Sequence, residues 1–326
     1  MIGSRARTTS RHVLPAIACA ALLALLAACG SSNASDSGGG SGGNAGAAAK
    51  SADYPKQDVV SAISIDQKLN AELPASVRSK KSLTLGTTLS TGTSGLPHSG
   101  VTTNGQYVGV DVDLRNAIAK VLGISWTIKD GTFATIVPGV QNNKYDVGQD
   151  NFGVTKAREE VVDFATYLTD GQSFLAPKDS KLDKVSNLND LCGLTVATSP
   201  GSTFQQILTD GAGKCASAGK KPYKVQLFSD NAPIWLGLAN GKVDIYFGPT
   251  LSLKYDATHV PNVKFLSQFS STPVGFVTGK QSPLAKPISA AINELIASGD
   301  YTKILKKWGV TSSGITKSEV NPTPTL

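Results

Sequence analysis

The sequence predicts an α/β protein built from two lobes, on two observations. The chain has 326 residues, which is too long for one small core and enough for two lobes of ordinary size. Strand-like and helix-like segments alternate along most of it, in two successive blocks that are separated by a bend near residues 173–179. Two such blocks predict two mainly parallel sheets covered by helices.

The composition is that of a soluble globular body. Charged residues make up 17% of the chain and hydrophobic residues 40%, and the net charge is +7. No run of more than two Lys or Arg residues occurs after residue 50. We interpret this mild basicity as solubility with some attraction for anions, and we expect no nucleic-acid partner.

The N-terminus has the features of an export signal. Arg5, Arg7 and Arg11 precede an apolar stretch, residues 13–28, that is too short for a comfortable membrane span. The stretch ends in Leu-Ala-Ala before Cys29, which resembles the bacterial lipobox. We therefore expect a lipoprotein signal peptide over residues 1–28 and lipidation of Cys29. An ordinary secretory signal with a chance cysteine is the alternative.

The next two segments connect this signal to the folded body. Residues 29–52 are rich in Gly, Ser, Ala and Asn and cannot bury enough apolar surface to fold, so they predict a flexible tether. Residues 53–79 predict an N-terminal helical extension of one or two short helices. No later segment is apolar for long enough to cross a bilayer, so we expect the lipid to be the only membrane anchor.

The cysteines indicate one disulfide. Of the four cysteines, Cys19 leaves with the signal and Cys29 takes the lipid. Cys192 and Cys215 remain as an even pair in an exported chain, which predicts a disulfide; two free buried thiols are the alternative. We expect no metal and no cofactor, because the three histidines are scattered, at His12, His98 and His259.

The first block of elements begins with a strand at residues 83–86. Within it, apolar residues repeat at i, i+3, i+4, i+7 and i+8 from Leu114, which predicts a helix that Asp113 caps and Gly123 ends. The other elements expected here are a Gly/Ser/Thr-rich loop at 90–105, strands at 108–111, 124–128 and 146–148, and a helix at 133–142 that Pro138 should kink or shorten.

The second block repeats the alternation. A helix at 202–208 opens with Ser202, and Gly299 and Gly309 end the two C-terminal helices. The polar tail, residues 313–326, is expected to be loose. The predicted strands are 195–198, 225–228, 243–247, 263–266 and 274–277, with helices at 232–238, 284–298 and 301–308. Ligands sit beyond the carboxyl ends of such strands, so we expect a site in the loops after Leu85, Val147, Val196 and Phe247.

Five stretches in order carry a family resemblance over about residues 80–310. They are GQYVGVDVDL at 105–114, TKAREEVVDF at 155–164, NDLCGLTV at 189–196 followed by GST at 201–203, LANGKVD at 238–244 and DYTKILKKWG at 300–309. Together they resemble the polar amino-acid-binding proteins of ABC transporters, the family 3 extracellular solute-binding proteins.

The resemblance implies a two-lobed, periplasmic-binding-protein-like (type II) clamp with two chain crossovers. Carried onto this chain, residues 80–174 and 271–312 form lobe 1, and residues 175–270 form lobe 2. It also implies that the chain closes its lobes around a small polar molecule, hands it to an ABC permease in the membrane, and works as a monomer outside the cytoplasm.

The same resemblance implies the site residues. Arg158 matches the arginine that grips a ligand carboxylate, and a guanidinium fork suits that planar group; a surface ion pair with Glu159, Glu160 or Asp163 is the alternative. Thr155 and Gly153 match the neighbouring ligand-contacting positions, although Thr155 also suits a helix cap.

In lobe 2, the resemblance places Ser202 and Thr203 on the other side of the same carboxylate. Free N–H groups and the helix dipole at a helix start favour an anion. A simple N-cap is the alternative. If both lobes hold the carboxylate, ligand binding favours closure.

Two departures put an ordinary α-amino acid in doubt. Pro249 stands where the family has an aspartate that pairs with the ligand ammonium, and the loop after the first strand has no aromatic residue for stacking, only Ser90, Thr91, Thr93 and Ser94. Asp150 is a candidate for the ammonium, and Phe133 or Trp235 for an apolar wall. For each of the three, plain packing or solvent exposure is the alternative.

Two other functions suit the same scaffold. One is an enzyme similar to the periplasmic cyclohexadienyl dehydratases, which needs a positioned general acid in a closed cleft. No Glu or His of the cleft motifs demands that role, so we expect no enzyme. The other is a sensory protein that presents its ligand to a receptor, which the sequence does not separate from transport.

Overall fold

The structure is a computed structural model that describes residues 54–89, 92 and 95–326. The expected signal peptide and the whole of the expected tether, including Cys29, lie outside the described residues, and so do Ser90, Thr91, Thr93 and Ser94. Within the described part of the chain, every helix is too short or too polar to cross a membrane.

The helices follow the predicted order with three additions. The N-terminal extension, where one or two short helices were expected, has two. The sequence pattern missed α5 in the first block and α7 and α9 in the second. The helices are α1 Gln67–Glu72, α2 Ala75–Lys80, α3 Val110–Leu122, α4 Phe133–Gln141, α5 Lys156–Glu159, α6 Thr203–Asp210, α7 Lys214–Ser217, α8 Asn231–Ala239, α9 Thr250–His259, α10 Ala285–Ser298 and α11 Asp300–Lys307.

Eight of the strands form a single mixed sheet in the order β4-β1-β5-β10-β6-β9-β7-β8, and β2 and β3 form a separate hairpin. The strands are β1 Ser82–Thr87, β2 Gly100–Val101, β3 Tyr107–Val108, β4 Ser125–Asp130, β5 Val147–Gly153, β6 Val162–Pro177, β7 Thr195–Thr198, β8 Lys224–Leu227, β9 Ile245–Pro249 and β10 Val263–Gly279. We call the β4-β1-β5 side the first half of the sheet and the β9-β7-β8 side the second half.

Two long antiparallel strands join the halves. β6 and β10 pair from Val162 with Gly279 to Pro177 with Val263. β5 pairs with one end of β10 and β9 pairs with the opposite end of β6. The expected bend near residues 173–179 is therefore wrong, and the two short strands expected at 263–266 and 274–277 are one strand. The expectation of two separate sheets is also wrong, because one mixed sheet contains both halves. Within each half the strands are parallel, as expected, and the antiparallel pairs are those that involve β6 or β10.

Each half buries its own apolar core. In the first half, α3 and α10 pack on the sheet through side chains such as Leu114, Ile118, Ile288 and Ile292, all fully buried. In the second half, Phe174 of β6 and Phe247 of β9 stack with ring centroids 4.1 Å apart. Two cores connected by two strands leave a seam between them, and loops from both halves meet there.

The start of α3 differs from the expectation and bears on that seam. The helix begins at Val110 with Gly109 as its N-cap, so the expected cap at Asp113 and strand at 108–111 are wrong. The backbone N–H groups of Val110 and Asp111 donate to the carbonyl oxygens of Pro97 and His98. A Cβ at residue 109 would lie 2.1 Å from the His98 carbonyl oxygen, so only glycine allows this close approach.

Asp113 fastens the C-terminal helix instead of capping α3. Its Oδ2 accepts a hydrogen bond from Trp308 Nε1 at 2.6 Å and lies 2.8 Å from Lys307 Nζ.

The helix ends predicted at Gly123 and Gly299 are confirmed, because both glycines take the left-handed conformation at the end of a helix. Pro138 lies inside α4, where the sequence placed it.

The disulfide between Cys192 and Cys215 is present, with Cα atoms 5.6 Å apart. It ties a 3-10 turn, Leu188–Leu191, to α7. A loop of this size contributes roughly 3 kcal/mol by restricting the unfolded chain.

The C-terminal tail is docked, contrary to the expectation that residues 313–326 are loose. Glu319 N donates to Thr166 Oγ1 at 2.9 Å, and Asn321 Nδ2 donates to Asp163 Oδ1 at 2.9 Å. Ser318 is buried and donates to Ser289 Oγ. The tail is polar because it completes hydrogen bonds along β6 and α10, not because it is exposed.

Candidate functional site

A cavity of about 370 Å³ lies where loops from the two halves of the sheet meet. Thr88 after β1 and Asp150 of β5 line it from the first half, and Ser199 after β7 and Pro249 at the end of β9 line it from the second. Thr88 and Ser199 follow their strands, Pro249 ends β9, and Asp150 lies beyond the part of β5 that pairs with β1. All four therefore lie at the carboxyl ends of the parallel pairs, where α/β sheets bind ligands. The volume is within the range of small-molecule pockets.

Six of the seven ligand-binding residues that the sequence suggested line this cavity: Phe133, Asp150, Gly153, Arg158, Ser202 and Thr203. The seventh, Thr155, is buried and caps α5, where its Oγ1 accepts a hydrogen bond from Arg158 N at 3.2 Å. A contact between Thr155 and a ligand stays a prediction. Its observed role is to fix the short helix that carries Arg158.

Arg158 bridges the two halves at the cavity. Its Nη1 donates to the Gly153 carbonyl oxygen at 2.9 Å, and its Nη2 donates to the Gly201 carbonyl oxygen of the second half at 3.0 Å. Its guanidinium carbon lies 5.5 Å from the ring centre of Phe133 and 5.6 Å from that of Phe152. Desolvation lowers the pKa of Arg158 to about 10, so the group remains a cation at neutral pH.

The alternative of a surface ion pair is wrong for Arg158. Asp163 pairs instead with Lys280, whose Nζ lies 2.9 Å from Asp163 Oδ1. Among the described residues, Arg158 has no carboxylate within ion-pair distance. A partly buried guanidinium with no counter-ion among the described residues is suited to an anionic group from outside.

The halves touch closely beside Arg158. A Cβ added to Gly153 would lie 3.4 Å from Thr203 Cγ2, and one added to Gly201 would lie 3.4 Å from the Ala134 Cα. Gly201 also has a φ of +71°, which favours glycine. These glycines allow the two backbones to approach, so the described conformation is a closed one.

The start of α6 presents its N-terminus to the cavity. Ser202 Oγ accepts a hydrogen bond from Gln205 N at 3.1 Å and donates one to the Ser199 carbonyl oxygen at 2.6 Å. The N-cap that the sequence predicted is thus confirmed. Because a helix N-terminus is the positive end of the dipole, Ser202 and Thr203 border a region that favours an anion near Arg158.

A buried histidine between two carboxylates also borders the cavity, and the sequence reasoning missed it. His98 Nε2 lies 3.0 Å from Asp170 Oδ2, and His98 Nδ1 lies 3.5 Å from Asp111 Oδ2. Burial disfavours the charged imidazole, but the two carboxylates outweigh it and raise the pKa of His98 to about 10. The sequence had considered His98 only as a metal ligand, and it lies in a loop with no periodic pattern.

Asp170 connects this histidine to the rest of the seam. Its Oδ2 also accepts a hydrogen bond from Asn151 Nδ2 at 2.8 Å, and its Oδ1 accepts from Gly171 N at 2.7 Å and from Leu251 N at 3.1 Å. Leu251 belongs to α9 of the second half, so one carboxylate in a crossing strand holds elements of both halves.

Among the described residues, no group of three His, Cys, Asp or Glu side chains is arranged to hold a metal ion.

The raised pKa of His98 predicts a pH dependence of stability. Because the folded-state pKa is above the unfolded value, its contribution is fully present below about pH 6.5 and is lost as the pH rises towards 10. We expect the free energy of unfolding of the wild type to fall by up to about 1.4 kcal/mol per pH unit across that range.

Urea denaturation at pH 6.5 and pH 9 tests this, with His98→Gln as the matched variant that lacks the titrating group. The variant should show the smaller fall. An equal pH dependence in both proteins would contradict a charged His98 in the fold.

Two carboxyl groups in the cavity form no ion pair with any described residue. Burial raises the pKa of Asp150 to about 7, although its hydrogen bond from Thr88 Oγ1 at 2.5 Å opposes the shift. Burial also raises the pKa of Asp256, on α9, to about 8.

Trp235, one of the two expected apolar walls, packs edge-on against Tyr246 instead. Tyr246 itself lines the cavity on that side.

Comparison with known proteins gives one family and several relatives. The family described as bacterial extracellular solute-binding proteins, family 3, matches residues 88–311. The arginine-binding protein ArgT of Corynebacterium glutamicum is 25% identical over 224 residues, which are 68% of this chain and 73% of the relative. The glutamine-binding protein GlnH of Bacillus subtilis is 31% identical over 211 residues, 63% of this chain and 74% of the relative.

Solved structures agree with this result. An ancestral arginine-binding protein bound to arginine has a TM-score of 0.62 and 32% identity, and the match covers 70% of this chain and 98% of that one. A cyclohexadienyl dehydratase of Pseudomonas aeruginosa is also related, at 24% identity over 152 residues, 46% of this chain and 53% of the relative.

Proposed function

We propose that this chain, which belongs to the bacterial extracellular solute-binding proteins of family 3, captures an amino acid or a related polar carboxylate outside the cytoplasm for an ABC importer. Solute binding follows from the family, and the choice of ligand is our proposal. The relatives named for arginine and for glutamine support an amino acid, without choosing between a cationic and a neutral side chain.

The observation that carries the proposal is the position of Arg158. Its guanidinium lies in the cavity and donates to carbonyl oxygens of both halves, 2.9 Å from Gly153 O and 3.0 Å from Gly201 O. A guanidinium has five N–H donors, so donors remain for a carboxylate that lies between Arg158 and the start of α6. A carboxylate there makes contacts with both halves at once, and binding then favours the closed form.

The finer points of location and assembly rest on the sequence. Cys29 after Leu-Ala-Ala supports a lipid anchor, and the Gly/Ser-rich residues 29–52 support a tether between that anchor and the body. We further propose that the chain acts as a monomer that docks on an ABC permease, and that it binds without turnover.

A thermal-shift screen tests the proposed ligand class. The purified chain is melted with L-amino acids, amines, opines and small carboxylates, each in excess. A ligand that binds only the folded form at one hundred times its Kd adds about 2.7 kcal/mol of stability, so at least one amino acid or related carboxylate should raise the melting temperature by several degrees. A panel in which only compounds without a carboxylate produce a shift would contradict the proposal.

An enzyme on this scaffold is the second candidate. It is favoured by the dehydratase relative and by the carboxyl group of Asp256, whose pKa of about 8 leaves it protonated at neutral pH and able to donate a proton. Incubation of the purified chain with prephenate or arogenate, followed by NMR, separates the two. Conversion that depends on the protein would favour the enzyme, and binding of either compound without conversion would favour capture.

A further inference from the structure

Asp256 lines the cavity from the second half and is the most isolated of its carboxyl groups. It lies on α9 and is 1% exposed, and its Oδ1 has no hydrogen-bond partner among the described residues. Burying a carboxylate without a partner is costly. Burial alone raises the pKa of Asp256. The group therefore lacks the internal partner that buried carboxylates normally have.

The helix spacing explains how Asp256 reaches the cavity. Pro249 precedes α9, and Ser252 and Asp256 follow it at intervals of three and four residues. Residues at these intervals lie on one face of a helix. All three line the cavity, so the face that begins at the uncharged Pro249 carries a carboxyl group two turns further on.

Carboxyl groups outnumber cationic groups around the cavity. Its lining contains two cationic groups, of which His98 is already paired with Asp111 and Asp170. The other, Arg158, has no carboxylate partner among the described residues and suits the ligand carboxylate. The carboxyl groups that remain are Asp150, Asp230 and Asp256. Asp150 has a hydrogen bond from Thr88, and Asp230 is exposed and therefore screened by water.

An aromatic ring beside Asp256 suits the same chemistry. Tyr246 lines the cavity, is buried, and lies near enough for the Asp256 charge to raise its pKa further. An aromatic face next to a carboxylate provides favourable contacts for a guanidinium or ammonium group. Burial of both groups strengthens these contacts relative to water.

We propose that Asp256 is the counter-ion for a cationic group of the ligand, and that the site therefore takes a basic amino acid or a related compound with a guanidinium or ammonium group far from its carboxylate. This deepens the proposed function and rests on it, since it presumes that the ligand carboxylate is held at Arg158. The carboxylate end then lies at the Arg158 side of the cavity and the cationic end at α9.

Calorimetry with L-arginine and L-citrulline tests the proposal, because citrulline has nearly the same shape and replaces the guanidinium with an uncharged urea group. The wild type should bind arginine about tenfold or more tightly than citrulline, since a hydrogen bond to a charged partner is stronger than one to a neutral group. Equal affinity for the two ligands would overturn the role of Asp256 and leave amino-acid capture standing.

Asp256→Asn isolates the charge with little change of shape. We expect it to weaken arginine binding about tenfold or more and to leave citrulline within about threefold of the wild type. Asp210→Asn, at the exposed end of α6 and outside the cavity lining, is the matched control and should change neither. Unchanged arginine affinity in Asp256→Asn would overturn the proposal.

The two proposals fail in different ways. If neither arginine nor citrulline binds and no other amino acid or related carboxylate binds in the thermal-shift screen, the proposed function fails, and this inference with it. If neutral amino acids bind and basic ones do not, only the inference fails. The comparison of ligands on the wild type needs no variant, so it remains decisive even if Asp256→Asn does not fold.

Discussion

Asp170→Ala is expected to lower the free energy of unfolding by about 3–5 kcal/mol. The carboxylate is 5% exposed and accepts hydrogen bonds from His98, Asn151, Gly171 and Leu251. Its removal leaves the imidazolium of His98 with Asp111 as its one carboxylate partner. The buried backbone N–H groups of Gly171 and Leu251 also lose their acceptor, and unmade buried hydrogen bonds are costly.

Chemical denaturation at pH 7 measures this effect. Asp179→Ala is the matched control, because Asp179 is exposed in the loop after β6 and should change the free energy of unfolding by less than about 0.5 kcal/mol. A loss below about 1 kcal/mol in Asp170→Ala would mean that the contacts across the seam contribute little to folding.

Arg158→Ala is expected to reduce ligand affinity at least tenfold, about 1.4 kcal/mol of binding free energy, while the protein remains folded. The substitution removes the cationic partner of a ligand carboxylate and the two donors that join Gly153 to Gly201. Arg158→Lys should give an intermediate affinity, because lysine keeps the charge and loses the planar fork.

Calorimetry with a ligand from the thermal-shift screen gives the affinity, and circular dichroism melts report the fold. Arg78→Ala is the control, since Arg78 is exposed on α2 and its side chain donates only to the Ala71 carbonyl oxygen among the described residues. Affinity equal to that of the wild type in Arg158→Ala would remove Arg158 from the site.

Elements with a local signal were predictable from the sequence. The apolar repeat of α3, the Ser202 cap of α6 and the glycine after α10 each lie within a few residues of what they control. Most of the seven expected ligand-binding residues came from the family resemblance. Six of the seven line one cavity.

The elements that sequence reasoning missed depend on distant partners. The sequence analysis placed a bend in β6 and two short strands in β10, because polar residues interrupt the apolar pattern of both. Only the pairing of β6 with β10 makes each of them a continuous strand. α9 buries Thr250, Ser252 and Asp256 along with its leucines, so no apolar stripe indicated a helix or drew attention to Asp256.

The sequence by itself determined the α/β class and the order of most elements, because these depend on residue type and short-range spacing. The number of cysteines in the exported chain predicted the disulfide partners, and the family resemblance supplied the arginine suited to a carboxylate. Only the tertiary structure decided which charges meet. His98 pairs with Asp170, and Arg158 with Gly201, across tens of residues of sequence. Asp256, whose Oδ1 has no hydrogen-bond partner among the described residues, lies on a helix without an apolar pattern. Desolvation and neighbouring charges together set the pKa values of these ionisable groups, and both arise only after the chain has folded.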